Sequence, residues 1–103
     1  MTEKVILYRM KEHYGVYDHL VALRAILLRE GAPVLARTVE NVLAILDEGL
    51  PSSIGEAKQA WERLIQFPRG LPDFGVWRED YEERLRLNAE LDAHLQAINH
   101  GLS

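Results

Sequence analysis

Apolar residues recur three or four positions apart along most of the chain, the spacing that places them on one face of an α-helix. The first such stretch covers residues 18–30, with Asp18 as a candidate N-cap and Gly31 as a candidate stop. The second covers residues 33–48 and starts with a proline, which suits the first turn of a helix. The predicted apolar faces comprise Leu20, Leu23 and Leu27 in the first helix and Leu35, Val39, Val42 and Leu46 in the second. The two-residue link between them predicts an antiparallel helical hairpin.

A third helix is predicted between the turn at residues 50–53 and Pro68. Ser52 or Ser53 can cap this helix, and Ser53 with Glu56 has the spacing of a capping box, in which each side chain satisfies a backbone amide near the helix start. The apolar residues of this helix are Ala57, Ala60, Trp61, Leu64 and Ile65.

The fourth and longest predicted helix covers residues 76–98. Its apolar stripe consists of Trp77, Tyr81, Leu85, Asn88, Leu91, Leu95 and Ile98. Asn88 interrupts the stripe, and a buried amide without partners costs roughly 1–3 kcal/mol. We therefore expect its side chain to tie the backbone of the preceding loop to the helix; a contact with a partner protein is the alternative.

Residues 3–14 also show helical spacing, at Leu7, Met10 and Tyr14. The alternative is a strand over residues 5–8, which would have to pair across a dimer because no other segment offers a partner strand. The whole pattern predicts a single all-α domain over residues 1–103, a four- or five-helix bundle with an aromatic loop before its long C-terminal helix.

The loop at residues 67–77 holds three of the eight aromatic residues and two of the four prolines. Proline is excluded from helix interiors and glycine permits unusual backbone angles, so we expect a loop of defined shape. In one interpretation Phe67, Phe74 and Trp77 fold inward and seal the bundle, with Trp77 the most buried of the three. In the other, these aromatic side chains are held ready for a partner, which reduces the entropy lost on binding.

The net charge of −4 is concentrated in residues 79–92, which contain six acids and two arginines. Asp80 with Arg84, and Glu82 with Arg86, have the spacing of helical ion pairs. An acidic strip repels phosphate backbones and attracts basic proteins. The charge therefore argues against nucleic-acid binding, although the helical hairpin leaves a DNA-associated regulator as an alternative.

The chain contains no pattern typical of a catalytic, cofactor or metal site. None of the histidines (His13, His19, His94, His100) follows a ligand residue by three positions, and we expect them to be exposed near helix ends. No nucleophile elbow or phosphate-binding glycine loop is present. The sequence predicts no cofactor, no metal and no enzymatic activity. The lack of cysteine and of any apolar run near about 18 residues favours a cytoplasmic protein without a membrane span.

Gly70-Leu-Pro-Asp73-Phe74, followed by Glu83, Asn88, Leu91 and Asp92, resembles the corresponding part of a family of short, uncharacterised bacterial helical proteins. In that family a helical hairpin and a third helix lead into a glycine- and Asp-containing turn and a polar C-terminal helix. The resemblance covers about residues 18–98; this chain has two prolines where the family has more glycine. It implies a compact cytoplasmic bacterial protein, of a type sometimes found beside toxin genes, and no activity.

These observations predict a binding protein: a small acidic inhibitor or immunity-type protein that neutralises a bacterial partner carrying basic groups. A homodimeric scaffold or accessory subunit is the first alternative. The predicted partner-binding residues are Phe67, Arg69, Asp73, Phe74, Trp77, Arg78, Glu79, Asp80 and Glu83.

Overall fold

The computed structural model describes residues 14–67 and 69–102, and within this part of the chain the fold consists of four α-helices. Its elements are α1 (Tyr14–Arg29), α2 (Pro33–Asp47), α3 (Ser53–Gln66), a short 3-10 turn (Leu71–Asp73) and α4 (Tyr81–Gly101). No strand occurs among the described residues, which confirms the all-α prediction. The prediction for residues 3–13 lies outside the described part of the chain.

The ends of α1 and α2 follow from backbone chemistry. Gly31 and Gly49 adopt positive φ angles of 76° and 63°, a region that glycine occupies without steric cost, and each ends the preceding helix as expected. The N-cap prediction for Asp18 is wrong, because α1 already begins at Tyr14. The buried face of α1 begins at Val16, four residues before Leu20, which the prediction took as its first member.

The core lies between antiparallel helices in which α1 packs against α2 and α4, and α2 packs against α1 and α3. Helix α1 contributes Leu20, Leu23 and Leu27 to the core, and α2 contributes Val39, Val42, Leu43 and Leu46. Trp61 of α3 is 1% exposed and donates its Nε1–H to Asn99 Oδ1 of α4 at 2.6 Å. This hydrogen bond satisfies the one polar atom of a buried tryptophan side chain.

Helix α3 starts differently from the predicted capping box. Ser53 is the first residue of the helix and is buried, and its Oγ accepts a hydrogen bond from the backbone N–H of Leu50 at 3.0 Å. Ser52 takes the N-cap position without a side-chain hydrogen bond to the helix. The serine hydroxyl therefore holds the preceding turn instead of the helix terminus, and the Ser53–Glu56 prediction is wrong.

Helix α4 begins at Tyr81, five residues later than predicted, because Asp80 caps it by accepting a hydrogen bond from the backbone N–H of Glu83 at 2.8 Å. Its buried face runs through Leu87, Leu91 and Ile98. The predicted stripe is correct in the second half of the helix and wrong at its start.

Two histidines lie at the contact between α1 and α4, contrary to the prediction that they would be exposed near helix ends. His19 and His94 are half-buried, and their Nδ1 atoms are 2.8 Å apart in a hydrogen bond. The helices run antiparallel, so this contact lies between the Val16–Gly101 contact at one end and the Glu30–Arg78 ion pair at the other.

None of the helices in the described part of the chain combines the length and the apolar character required to cross a lipid bilayer.

Candidate partner-binding surface

The segment between α3 and α4 is anchored to the bundle by aliphatic side chains. Leu71 and Val76 are buried in the core. Backbone hydrogen bonds between residues three positions apart define the first half of the segment. The Gly70 N–H donates to Phe67 O at 3.0 Å, and the Phe74 N–H donates to Leu71 O at 3.1 Å. The segment is therefore a loop of defined shape, as the prolines and glycines predicted.

Asn88 fastens the second half of this loop to α4. Its Oδ1 accepts from the backbone N–H of Val76 at 2.8 Å, and its Nδ2 donates to the carbonyl oxygens of Val76 and Arg84, each at 2.8 Å. One amide side chain thus satisfies both backbone polar groups of a buried loop residue. The prediction that Asn88 ties the loop to the helix is confirmed.

A third anchor is an ion pair with the C-terminal end of α1. The Nη1 and Nη2 atoms of Arg78 donate to the two carboxylate oxygens of Glu30 at 2.7 and 2.8 Å, and Arg29 Nε donates to the same carboxylate at 2.7 Å. These hydrogen bonds, first from Arg78 and then from Arg29, hold the pKa of Glu30 at about 2. The same bond to Glu30 raises the pKa of Arg78.

Between these anchors the chain presents an aromatic surface. Trp77 is 68% exposed, Tyr81 61% and Leu85 52%. The guanidinium carbon of Arg84 lies 4.4 Å from the centre of the Trp77 ring and 5.3 Å from that of Tyr81, within the range of cation–π attraction. We call these four residues the Trp77 patch.

The interpretation in which the loop aromatics seal the bundle is wrong for Trp77 and for Phe67, which is also exposed. Residues 74–78 lack helical structure, and side chains of extended backbone alternate between two sides. Because Val76 points into the core, Trp77 points outward. Phe74 is half-buried and packs against the core, so the prediction that this residue folds inward is partly correct.

The other predicted partner-binding residues lie around this surface in different states of exposure. Arg69, Asp73, Glu79 and Asp80 are exposed, whereas Arg78 and Glu83 are half-buried and joined by an ion pair of 3.4 Å. Sequence reasoning assigned Tyr81 and Leu85 to the apolar stripe and so missed them as surface residues, and it missed the position of Arg84 against the two rings. The spacing of Asp80 and Glu83 marks a helix start, and it would have shown that Trp77 lies before the helix and outside its apolar stripe.

The predicted ion pairs of the acidic strip do not form among the described residues. The Asp80 carboxylate caps α4, and the Arg84 guanidinium lies against the two rings and donates to the Arg78 carbonyl at 3.4 Å. Glu82 and Arg86 are exposed and also make no ion pair with each other within the described chain. Glu79 and Glu82 are therefore exposed without an ion-pair partner among the described residues.

Residues 14–67 and 69–102 contain no group of three or more histidine, cysteine, aspartate or glutamate side chains placed to hold a metal ion. Comparisons of the chain with protein-family models, with curated proteins and with solved structures found no match, so the resemblance drawn from the sequence stays a hypothesis.

Proposed function

We propose that this protein is a small protein-binding module, of the inhibitor or immunity type, that captures a bacterial partner protein with its Trp77 patch. The observation that carries the proposal is the exposure of Trp77, Tyr81 and Leu85 on backbone that Asn88 and Arg78 hold in place. Large apolar side chains that lie next to one another at a surface mark interaction sites more often than isolated ones do.

The composition of the patch is that of a binding hot spot. Tryptophan, tyrosine and arginine are the residue types whose truncation most often weakens protein complexes. Arg84 lies within cation–π distance of both the Trp77 and the Tyr81 rings, which favours one arrangement of these rings before binding. Because less side-chain entropy is lost on association, a patch of this kind binds more tightly than mobile side chains would.

The charge around the patch supports a basic partner. Glu79, Asp80 and Glu82 are exposed beside Trp77 and Tyr81. Such carboxylates accelerate association with a positively charged protein and disfavour partners that carry phosphate groups. An acidic protein of this kind would neutralise a toxin or nuclease by covering its basic active site.

The first experiment identifies the partner by photo-crosslinking. The chain is expressed in its host cells with p-benzoylphenylalanine in place of Trp77, and a matched variant carries the same probe at Leu50. Leu50 is also an exposed apolar residue but lies in the α2–α3 turn at the opposite end of the bundle. We expect one protein to crosslink at position 77 and not at position 50; equal adducts at both positions would contradict the proposal.

The second experiment measures affinity and inhibition with that partner in purified form. Trp77→Ala should raise Kd by roughly 30-fold, which corresponds to about 2 kcal/mol and is typical of a hot spot. Leu50→Ala should leave Kd unchanged. The wild-type protein should suppress the activity of the partner at stoichiometric amounts, and binding without suppression would refute the inhibitory role.

The alternative of a homodimeric scaffold or accessory subunit, in which the apolar N-terminal segment pairs with its own copy, predicts a different result. Sedimentation velocity would then show a dimer that persists in both Trp77→Ala and Leu50→Ala. A DNA-associated regulator would bind duplex DNA in a salt-dependent manner. Neither alternative requires the suppression of a partner's activity.

A further inference from the structure

We propose that the groove between α2 and α3 binds an amphiphilic carboxylate, a small molecule with one anionic head and an apolar chain. The groove has a volume of about 480 Å³, within the size range of small-molecule sites. One wall is a face of α2, where Val34, Arg37, Thr38 and Asn41 follow one another at helical spacing. This site is separate from the Trp77 patch and does not depend on the function proposed above.

The charge of the groove is opposite to that of the chain. Arg37 of α2 and Arg63 of α3 line it, and no acidic residue does, although the chain has sixteen acids and twelve bases. Because α2 and α3 are antiparallel about the turn between Asp47 and Ser53, the two arginines lie at the same level of the helix pair. Neither guanidinium has an ion-pair or hydrogen-bond partner among the described residues.

Two cations that line one groove and have no acidic partner favour the binding of an anion there. A carboxylate suits this site because its two oxygens accept parallel hydrogen bonds from a guanidinium. Asn41 adds amide donors beside the arginines, whereas the Thr38 hydroxyl already donates to the Leu35 carbonyl at 2.6 Å. The arginines and Asn41 therefore provide hydrogen-bond donors for a negatively charged head group.

The remaining residues that line the groove are apolar and would contact the hydrocarbon chain of the ligand. Val34 is 75% exposed, and Ala60 and Leu64 are half-buried at the edge of the core. A hydrocarbon chain laid along these side chains removes apolar surface from water, which favours binding. Acetate has the head group but would leave Val34 exposed, so it should bind more weakly.

The test is an NMR titration of the full chain with sodium octanoate, with neutral octanamide and with acetate. We expect octanoate to shift the amide signals of residues 34–41 and 60–64 in a saturable manner. Octanamide, acetate and inorganic phosphate should each bind at least about fivefold more weakly, because each lacks either the charge or the chain. Equal binding of octanamide, or octanoate shifts confined to Trp77, would overturn the assignment.

Matched variants test whether octanoate binding depends on the two arginines. Arg37→Gln and Arg63→Gln should each weaken octanoate binding by at least about fivefold, whereas Arg86→Gln, at an exposed arginine of α4, should leave it unchanged. Unchanged octanoate binding in both Arg37→Gln and Arg63→Gln would refute the proposal.

Discussion

The contact between Gly101 and Val16 allows a sharp test of how α1 and α4 pack. Gly101 is the last residue of α4, and a Cβ atom added there would overlap Val16 Cγ2 and lie 3.4 Å from Val16 Cβ. Val16 is buried and β-branched, so its side chain has little rotamer freedom with which to move aside. The clash must then be relieved by a shift of one helix against the other.

Two opposing effects determine how much Gly101→Ala changes the free energy of unfolding. Alanine favours a helix by up to about 1 kcal/mol over glycine, and by less at the last position of the helix. Overpacking a tight contact costs about 1–3 kcal/mol. The clash is the larger effect, so we expect a net loss in the free energy of unfolding of about 1–2 kcal/mol.

Urea unfolding followed by circular dichroism measures this loss, and Gly55→Ala is the matched control. Gly55 lies in the first turn of α3, and a Cβ atom there would meet nothing within 4 Å. This substitution should therefore stabilise the protein by about 0.5 kcal/mol. If Gly101→Ala stabilised the protein as much as Gly55→Ala does, the close approach of α1 and α4 would be refuted.

A second substitution locates the clash. Val16→Ala alone should cost about 1.5–3 kcal/mol, because it removes two buried methyl groups. In the double variant the methyl group introduced at position 101 occupies part of the vacated space, so the combined loss should be smaller than the sum by about 1 kcal/mol or more. Additive losses would show that Val16 is not the residue against which position 101 packs.

Two further predictions concern the anchors of the loop. Asn88→Asp keeps an oxygen that accepts from the Val76 N–H but places a second oxygen against two carbonyl groups. It should therefore lower the free energy of unfolding by about 1–3 kcal/mol and speed hydrogen exchange of the Val76 amide. An unchanged exchange rate would contradict the role of Asn88 as an anchor. The Glu30 carboxylate has a pKa of about 2, below its ordinary 4.5, so its contribution is present above about pH 4.5 and is lost as the pH falls toward 2. Urea midpoints across this range should fall more steeply for wild type than for Glu30→Gln, and parallel curves would refute the coupling.

The hairpin of α1 and α2 was predictable because its signals are local. A proline at the first helical position, glycines after each helix and a three-to-four spacing of leucines and valines all act within a few residues of one another. The start of α4 was misplaced because Trp77 happens to fit the helical spacing of the residues that follow. The competing local signal, an aspartate three residues before a glutamate, determines where the helix begins.

The features that position the candidate surface were less accessible to sequence reasoning. The partner of Arg78 is Glu30, 48 positions away in the chain, and no local pattern links the two. The same limit applies to Arg37 and Arg63, whose proximity depends on how α2 and α3 pack. Asn88 was an exception, because an amide within an apolar stripe requires a partner wherever the chain folds.

The two tryptophans of the chain lie in opposite environments, and this gives the protein two built-in optical reporters. Trp61 is enclosed by the bundle and Trp77 faces the solvent, so a soluble quencher such as acrylamide should act on Trp77 while the protein is folded and on both after unfolding. Trp61→Phe would leave a fluorophore that senses only the occupation of the patch. Trp77→Phe would leave one that senses only the integrity of the bundle, so complex formation and unfolding would be separable without any attached dye.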